Sequence, residues 1–146
     1  MVRSHRLAHL AHGGTLESFG PQQGLAHRSV RTLLRSRGGV LWIGTEHGLD
    51  RYDPVRDAFD TFRHDPGDAH SLSSGGIWCV HVDRRGLFWI GTYGGGLNRF
   101  DPATGRSVRY RHDPHDPTSL SSDYVSAVVE DGQGRLWVAT YGGGLN

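Results

Sequence analysis

The chain has 146 residues, of which 36% are hydrophobic, 21% charged and 10% aromatic; that composition fits one folded domain and excludes a disordered chain. The formal charge is +1, and all sixteen cationic residues are Arg; they are scattered, so no basic stripe argues for nucleic acid. No apolar run approaches the roughly 20 residues of a membrane-spanning helix, the N-terminal MVRSHRLAHLAHGG has no apolar core of signal-peptide length, and the lone Cys79 excludes an internal disulfide.

In chain order, residues 1–13 read as a tail. His5, His9 and His12 would share a face if it were helical, but three His without a fourth ligand make a weak metal set. Residues 14–29 read as a lead-in, with 15–19 an orphan outer strand.

From there the chain repeats, and the repeat governs everything else. Trp42, Trp89 and Trp137 recur at intervals of 47 and 48 residues. The octet GTYGGGLN at 91–98 returns as ATYGGGLN at 139–146, and GTEHGLD at 44–50 is a shorter version. RYDP at 51–54 returns as RFDP at 99–102, FRHDP at 62–66 as YRHDP at 110–114, and SLSS at 71–74 again at 119–122.

The middle unit shows the pattern in full. Residues 77–82 form a first strand, closed by the turn DRRG. Residues 87–92 form a second, followed by YGGG. Residues 97–100 form a third, then DPATG, then a fourth at 107–111 before the longer HDPHDPTSLSS. Val, Ile and aromatic runs bounded by Gly, Pro, Asp and Ser are strand punctuation, and no sustained 3.6-residue period competes. Four short strands per 40–50 residues is a β-propeller blade.

Consecutive apolar residues such as Leu136, Trp137, Val138 and Ala139 suit a sheet covered on both faces, so Trp42, Trp89 and Trp137 are expected in the core. The expected fold is all-β, an incomplete β-propeller of about two and a half four-stranded antiparallel blades: 30–76, 77–124 and a partial 125–146. Propellers close with four to eight blades. An arc of this size should therefore expose apolar side chains at both ends, with missing blades or self-association as its partner.

The segments SVRTLLRSRGGVLWIGTEHGLDRYDP (29–54), FWIGTYGGGLNRFDPATG (88–105) and DYVSAVVEDGQGRLWVATYGGGLN (123–146) resemble two-component regulator propeller repeats. One departure is Ser36, where the later units carry Asp83 and Asp131. The resemblance implies the N-terminal part of a sensor propeller from a bacterial histidine kinase or hybrid two-component protein. It further implies a periplasmic location for the complete sensor, polysaccharide fragments as ligands, and a kinase domain outside this chain. The residues of this chain by themselves leave its location open.

Hairpin parity sorts the loops. The first-to-second and third-to-fourth turns share one face; the second-to-third loops and the connections between units share the other, where the loops are longer and better suited to binding. The candidate ligand residues there are Glu46, His47, Tyr93 and Tyr141 on second-to-third loops, and Trp78, Asp123 and Tyr124, with Arg28, near the starts of first strands. Aromatic rings with polar neighbours suit a carbohydrate or another small polar ligand. Packing shared by the blades is the competing reading, since Tyr93 and Tyr141 recur in register.

No catalytic residue, metal site or cofactor is assigned. There is no Walker Lys, no G-x-S-x-G elbow and no G-x-G-x-x-G opening a helix. The loop His112-Asp113-Pro114-His115-Asp116 matches no strong ligand spacing; His64 and His112 read as structural, and His81 as a buried residue bonded to backbone. Cys79 and His81 share one side of a strand, yet a nucleophile pair needs exposure and an orienting group. The function expected is ligand sensing by binding. The alternatives are a lyase-like propeller enzyme using Glu46 and His47, or a truncated, non-functional or scaffolding piece.

Overall fold

The structure is a computed structural model that describes residues 7–10, 14 and 16–146. In chain order its strands are β1 Leu7–Leu10, β2 Leu16–Phe19, β3 Val30–Arg35, β4 Leu41–Thr45, β5 Gly48–Asp53 and β6 Ala58–Phe62. They continue with β7 Ile77–Val82, β8 Phe88–Thr92, β9 Leu97–Asp101, β10 Arg106–Tyr110, β11 Val125–Glu130, β12 Leu136–Thr140 and β13 Gly144–Leu145. A single 3-10 turn, Pro21–Gln23, lies between β2 and β3. The strands β3 to β6 and β7 to β10 make two four-stranded sheets in sequence order, and β11 to β13 a three-stranded one, all antiparallel. The fold is all-β and built of propeller blades.

Local chemistry sets the meander. The Asp83 carboxylate accepts the N–H of Arg85 at 2.8 Å and of Leu87 at 3.0 Å, and its second oxygen accepts the Trp89 indole N–H at 2.9 Å. Asp131 repeats this with Gln133, Arg135 and Trp137. In the first blade Ser36 cannot reach so far, and its hydroxyl turns to the Val40 carbonyl instead. There Trp42 lies under the Arg51 guanidinium, 5.8 Å from the ring centre.

The connections between blades are pinned too. His64 Nδ1 lies 2.7 Å from the Leu72 carbonyl oxygen and His112 Nδ1 2.6 Å from that of Leu120, so both His hold the loop that carries the chain to the next blade.

The lead-in differs from expectation. β1 pairs antiparallel with β2, with His9 opposite Glu17. Part of 1–13 is therefore strand, and the outer strand has a partner. A shared helical face for the three His is excluded at His9; His5 and His12 lie outside the described residues.

The sheets stack face to face. Trp42, Leu49 and Leu72 meet Ile77, Phe88, Ile90 and Phe100 in the first core, with Trp42 edge-on to Phe88 at 4.9 Å. Leu97 and Trp89 meet Val125, Val128 and Val138 in the second. Trp42 is 3% exposed, Trp89 is half-buried, and Trp137 is 41% exposed. This corrects the expectation that all three are core: Trp42 and Trp89 are each covered by the blade that follows, whereas over Trp137 the described residues place the Arg135 guanidinium, 5.6 Å from the ring centre, and no further sheet. Val129 and Leu145 are exposed on the same sheet.

The opposite end of the stack is half covered. Leu25 is buried against Ile43, and Phe19, Tyr52 and Phe59 pack around them. Among the described residues of that face, Leu33 on its inner strand is open.

Candidate functional site

Each first strand carries a bulge at its second residue. Thr92 pairs with Ile77 and Gly91 with Cys79, leaving Trp78 unpaired; the same slip occurs between Val30 and Thr32 and between Val125 and Ala127. A bulge re-aims the extra side chain out of the ladder, and two of these residues, Arg31 and Trp78, line depressions on the loop face.

The residue after each second strand reaches back to the residue before the first strand. Glu46 N–H donates to Ser29 at 3.2 Å, Tyr93 N–H to Gly76 at 2.9 Å and Tyr141 N–H to Tyr124 at 2.8 Å. These bonds fix the position of the loop residue. In the second-to-third turn, Gly96 (φ +80°) adopts a left-handed backbone conformation, and a Cβ there would collide with the Tyr110 carbonyl oxygen.

Five of the candidate residues surround one depression of about 700 Å³: Trp78, Tyr93, Asp123, Tyr124 and Tyr141. Trp78 and Tyr93 meet edge to face at 4.8 Å, and Tyr93 and Tyr124 at 4.9 Å with their planes 86° apart. The three rings form a continuous row across the junction of the second and third blades. Tyr93 and Tyr141 are exposed. Asp123 is held by accepting the His112 N–H at 2.7 Å. Ser121, Ser122 and His112 complete the wall; sequence reasoning passed over them because SLSS and HDP read only as turn signals.

Glu46 and His47 line a neighbouring depression of about 570 Å³ that shares Trp78 and Tyr93. Glu46 is ion-paired to Arg31. That hydrogen bond holds its carboxyl below the usual range. His47 stacks on His27, with ring centres 4.3 Å apart. Burial first, then the neighbouring His47, lowers the His27 pKa; His27 Nδ1 accepts the Ser29 N–H at 3.1 Å. Nothing in the sequence pattern signalled this His pair, which brings a lead-in residue against a blade loop. Arg28 sits apart, against Ser18 and Gln22 in the lead-in groove.

Other expected roles resolve locally. Asp113 accepts the His115 N–H at 2.9 Å and Asp116 the Thr118 N–H at 2.8 Å, so both carboxylates close turns in their own loop. Among the described residues no group of three or more His, Cys, Asp or Glu could hold a metal. The Cys79 thiol is mostly buried, which raises its pKa. His81 differs from its expected backbone bond: Nε2 has no hydrogen-bond partner among the described residues and lies 3.6 Å from the Glu130 carboxylate of the next blade. Among the described residues no helix is long and apolar enough to cross a membrane.

A family model described as "Two component regulator propeller" matches residues 24–47, 71–94 and 119–142. Histidine kinase P4 of Formosa agariphila is 37% identical over 57 residues, covering 39% of this chain and 4% of that protein. The extracellular domain of a putative hybrid two-component system from B. thetaiotaomicron superposes with a TM-score of 0.76 at 27% identity, over 89% of this chain and 19% of that one. Virginiamycin B lyase from Staphylococcus aureus matches at a TM-score of 0.64 and 15% identity, over 99% of this chain and 48% of the lyase; that likeness shows the fold alone. The chain thus spans a small fraction of the two-component relatives it matches.

Proposed function

We propose, from the premise that this chain belongs to the two-component regulator propeller family, that it senses a small polar ligand, a carbohydrate being the best fit, on the face where Trp78, Tyr93 and Tyr124 meet. The family supports a role in signalling. The binding role rests on one observation above the rest: a row of edge-to-face rings, with Tyr93 57% and Tyr124 39% exposed, beside a fixed carboxylate and three hydroxyl-bearing or imidazole side chains. Exposed rings offer flat apolar area at low conformational cost, and the polar rim supplies hydrogen bonds that fix orientation. Phosphotransfer would lie in other parts of a complete receptor, and a place outside the cytoplasm agrees with the extracellular domain it resembles.

The lyase reading has less support. Glu46 is tied to Arg31 and His47 to His27, so the acid and base it needs are engaged with other groups.

The test is a calorimetric and Trp-fluorescence titration of the chain with a panel of neutral and acidic oligosaccharides. Binding should weaken about tenfold or more on Trp78→Ala or Tyr93→Ala, equivalent to about 1.4 kcal/mol, while Arg28→Ala leaves it unchanged. A saccharide that binds equally well to all three variants would sink the reading.

A further inference from the structure

We propose that the first blade carries a proton-operated latch: neutral His27 fastens the lead-in through the Ser29 N–H, and protonated His27 releases that bond and takes Glu46 from Arg31. The proton is then a second input to the chain, next to the depression where the rings meet. The inference is independent of the ligand reading, because it needs only the lead-in and the first blade.

The three junctions supply the comparison. GLAHRSV at 24–30, SLSSGGI at 71–77 and SLSSDYV at 119–125 are equivalent stretches, and each makes the same turn bond to a backbone N–H two residues along. Ser74 Oγ accepts the Gly76 N–H at 3.3 Å, Ser122 Oγ accepts the Tyr124 N–H at 3.2 Å, and His27 Nδ1 accepts the Ser29 N–H at 3.1 Å. A hydroxyl accepts at any ordinary pH. An imidazole nitrogen accepts only while it is unprotonated, since both ring nitrogens of a protonated His are donors. Of the three bonds, the one at His27 is therefore the one a proton breaks.

The surroundings give the released ring a new partner. Glu46 Oε2 lies 3.7 Å from His27 Nδ1, beyond hydrogen-bond range and within a small turn of the ring. Glu46 is bonded to Arg31, and that bond first keeps its carboxyl ionised. The His47 ring centre is 4.3 Å from that of His27, an arrangement that suits neutral rings and resists added positive charge. Burial first, then His47 and Arg28, outweigh the pull of Glu46, so the His27 pKa lies below the ordinary 6.5. A His with a lowered pKa stabilises the closed form above the ordinary value, and that stability is lost as pH falls below it. The latch is thus closed at neutral pH and opens in mild acid.

Opening is felt in the adjoining depression. Arg31 is the bulged residue of the first strand and lines that depression with Trp78 and Tyr93; once Glu46 turns to His27, its guanidinium is free. The turn that carries His47 also packs on the next junction. A Cβ on Gly75 would stand 3.4 Å from His47 Cα, and the Gly76 carbonyl that follows accepts the Tyr93 N–H.

The test is an NMR titration of the isotope-labelled full chain from pH 7.5 to 5, the range in which His changes charge. Imidazole 15N shifts report the protonation of each ring, with His27 assigned through His27→Ser. At pH 7.5 His27 should carry its proton on Nε2, and it should titrate below the ordinary 6.5. The Ser29 amide should lose protection from exchange, and the Arg31 Nε–H resonance should shift, with the same midpoint. His27→Ser restores the turn bond of the other junctions, so Ser29 should stay protected throughout; His27→Ala should leave it unprotected throughout. Asp50, whose buried carboxylate accepts the Ala26 N–H beside His27, is a second titrating group at this junction, and Asp50→Asn should leave the His27-linked change in place. A His27 protonated on Nδ1 at pH 7.5, a midpoint at or above 6.5, or a Ser29 amide unmoved by the His27 titration overturns the latch. So does a pH response of Ser29 that survives His27→Ser or vanishes in Asp50→Asn. An Arg31 resonance that stays still overturns the transfer of Glu46. The wild-type titration decides the first and last of these points whether or not a variant folds.

Discussion

Asn98 holds Ser73 by two bonds: its Nδ2 donates to the Ser73 hydroxyl at 2.7 Å, and its Oδ1 accepts the Ser73 N–H at 2.9 Å. The third strand of the second blade thereby fastens the connection that brought the chain into that blade. Asn146 and Ser121 repeat the arrangement, and Asp50 accepts the Ala26 N–H in the first blade. This clasp explains why the Gly-rich octet ends in Asn. The preceding glycines let the connection come close: a Cβ on Gly95 would lie 2.7 Å from the Ser73 hydroxyl.

Asn98 is fully buried and Ser73 nearly so. Asn98→Ala should therefore cost about 2–4 kcal/mol, the loss of two bonds with a buried donor and acceptor left unpaired. Asn146→Ala, at an exposed copy of the same clasp, should cost less than about 1 kcal/mol. Urea denaturation of both variants checks this; equal losses would show that the clasp does not depend on burial.

Acid should loosen the first-to-second turns. The Trp137 indole, followed by the Arg135 N–H, holds the Asp131 carboxyl down at about 2, from an ordinary 3.8. At Asp83 burial pushes the pKa up, but the Trp89 indole and two backbone N–H groups more than offset it. A depressed carboxylate pKa gives stability that is present above the ordinary value and is lost as pH falls through the folded one. Trp emission followed from pH 5 to 2 should show this loss. Asp131→Asn should remove the Asp131 share of the pH dependence, and an unchanged profile would refute the assignment.

Two glycines with the same backbone sign should respond differently. Gly86 has φ +84° with open space around it, whereas a Cβ on Gly96 (φ +80°) would run into the Tyr110 carbonyl. Gly86→Ala should cost about 1–2 kcal/mol from the left-handed backbone alone. Gly96→Ala should add an overpacking penalty of about 1–3 kcal/mol to that. Thermal unfolding of the pair separates strain from collision.

The pair Cys79 and Gly91 should behave as one unit. Gly91→Ala places a Cβ 2.5 Å from Cys79 Sγ and should destabilise by about 1–3 kcal/mol. Adding Cys79→Ala reproduces the Ala127–Ala139 pair of the third sheet and should recover part of the loss. The contact with Val125 remains and keeps recovery incomplete. A double-mutant cycle with no coupling energy would contradict this.

Much of this protein was legible in the sequence because blades are local. Four strands joined by tight turns need only neighbouring residues, so Asp83, Gly96 and the Trp series announced strand ends and register before any tertiary contact was known. The second blade's first strand, Ile77–Val82, is the span the sequence predicts. The loop face was legible for the same reason: hairpin parity puts Tyr93 and Tyr141 on one side whatever the blades do.

What the tertiary structure decided is how those blades meet. The bulge that frees Trp78, the ring row joining Tyr93 to Tyr124, the stacking of His27 on His47 and the covering of Ile43 by Leu25 all depend on segments distant in sequence. Trp42 and Trp137 occupy the same position in the repeat, yet one is sealed and the other open. A side chain's pattern fixes the direction it points along a strand; its burial depends on which surface lies opposite, and that surface belongs to another blade.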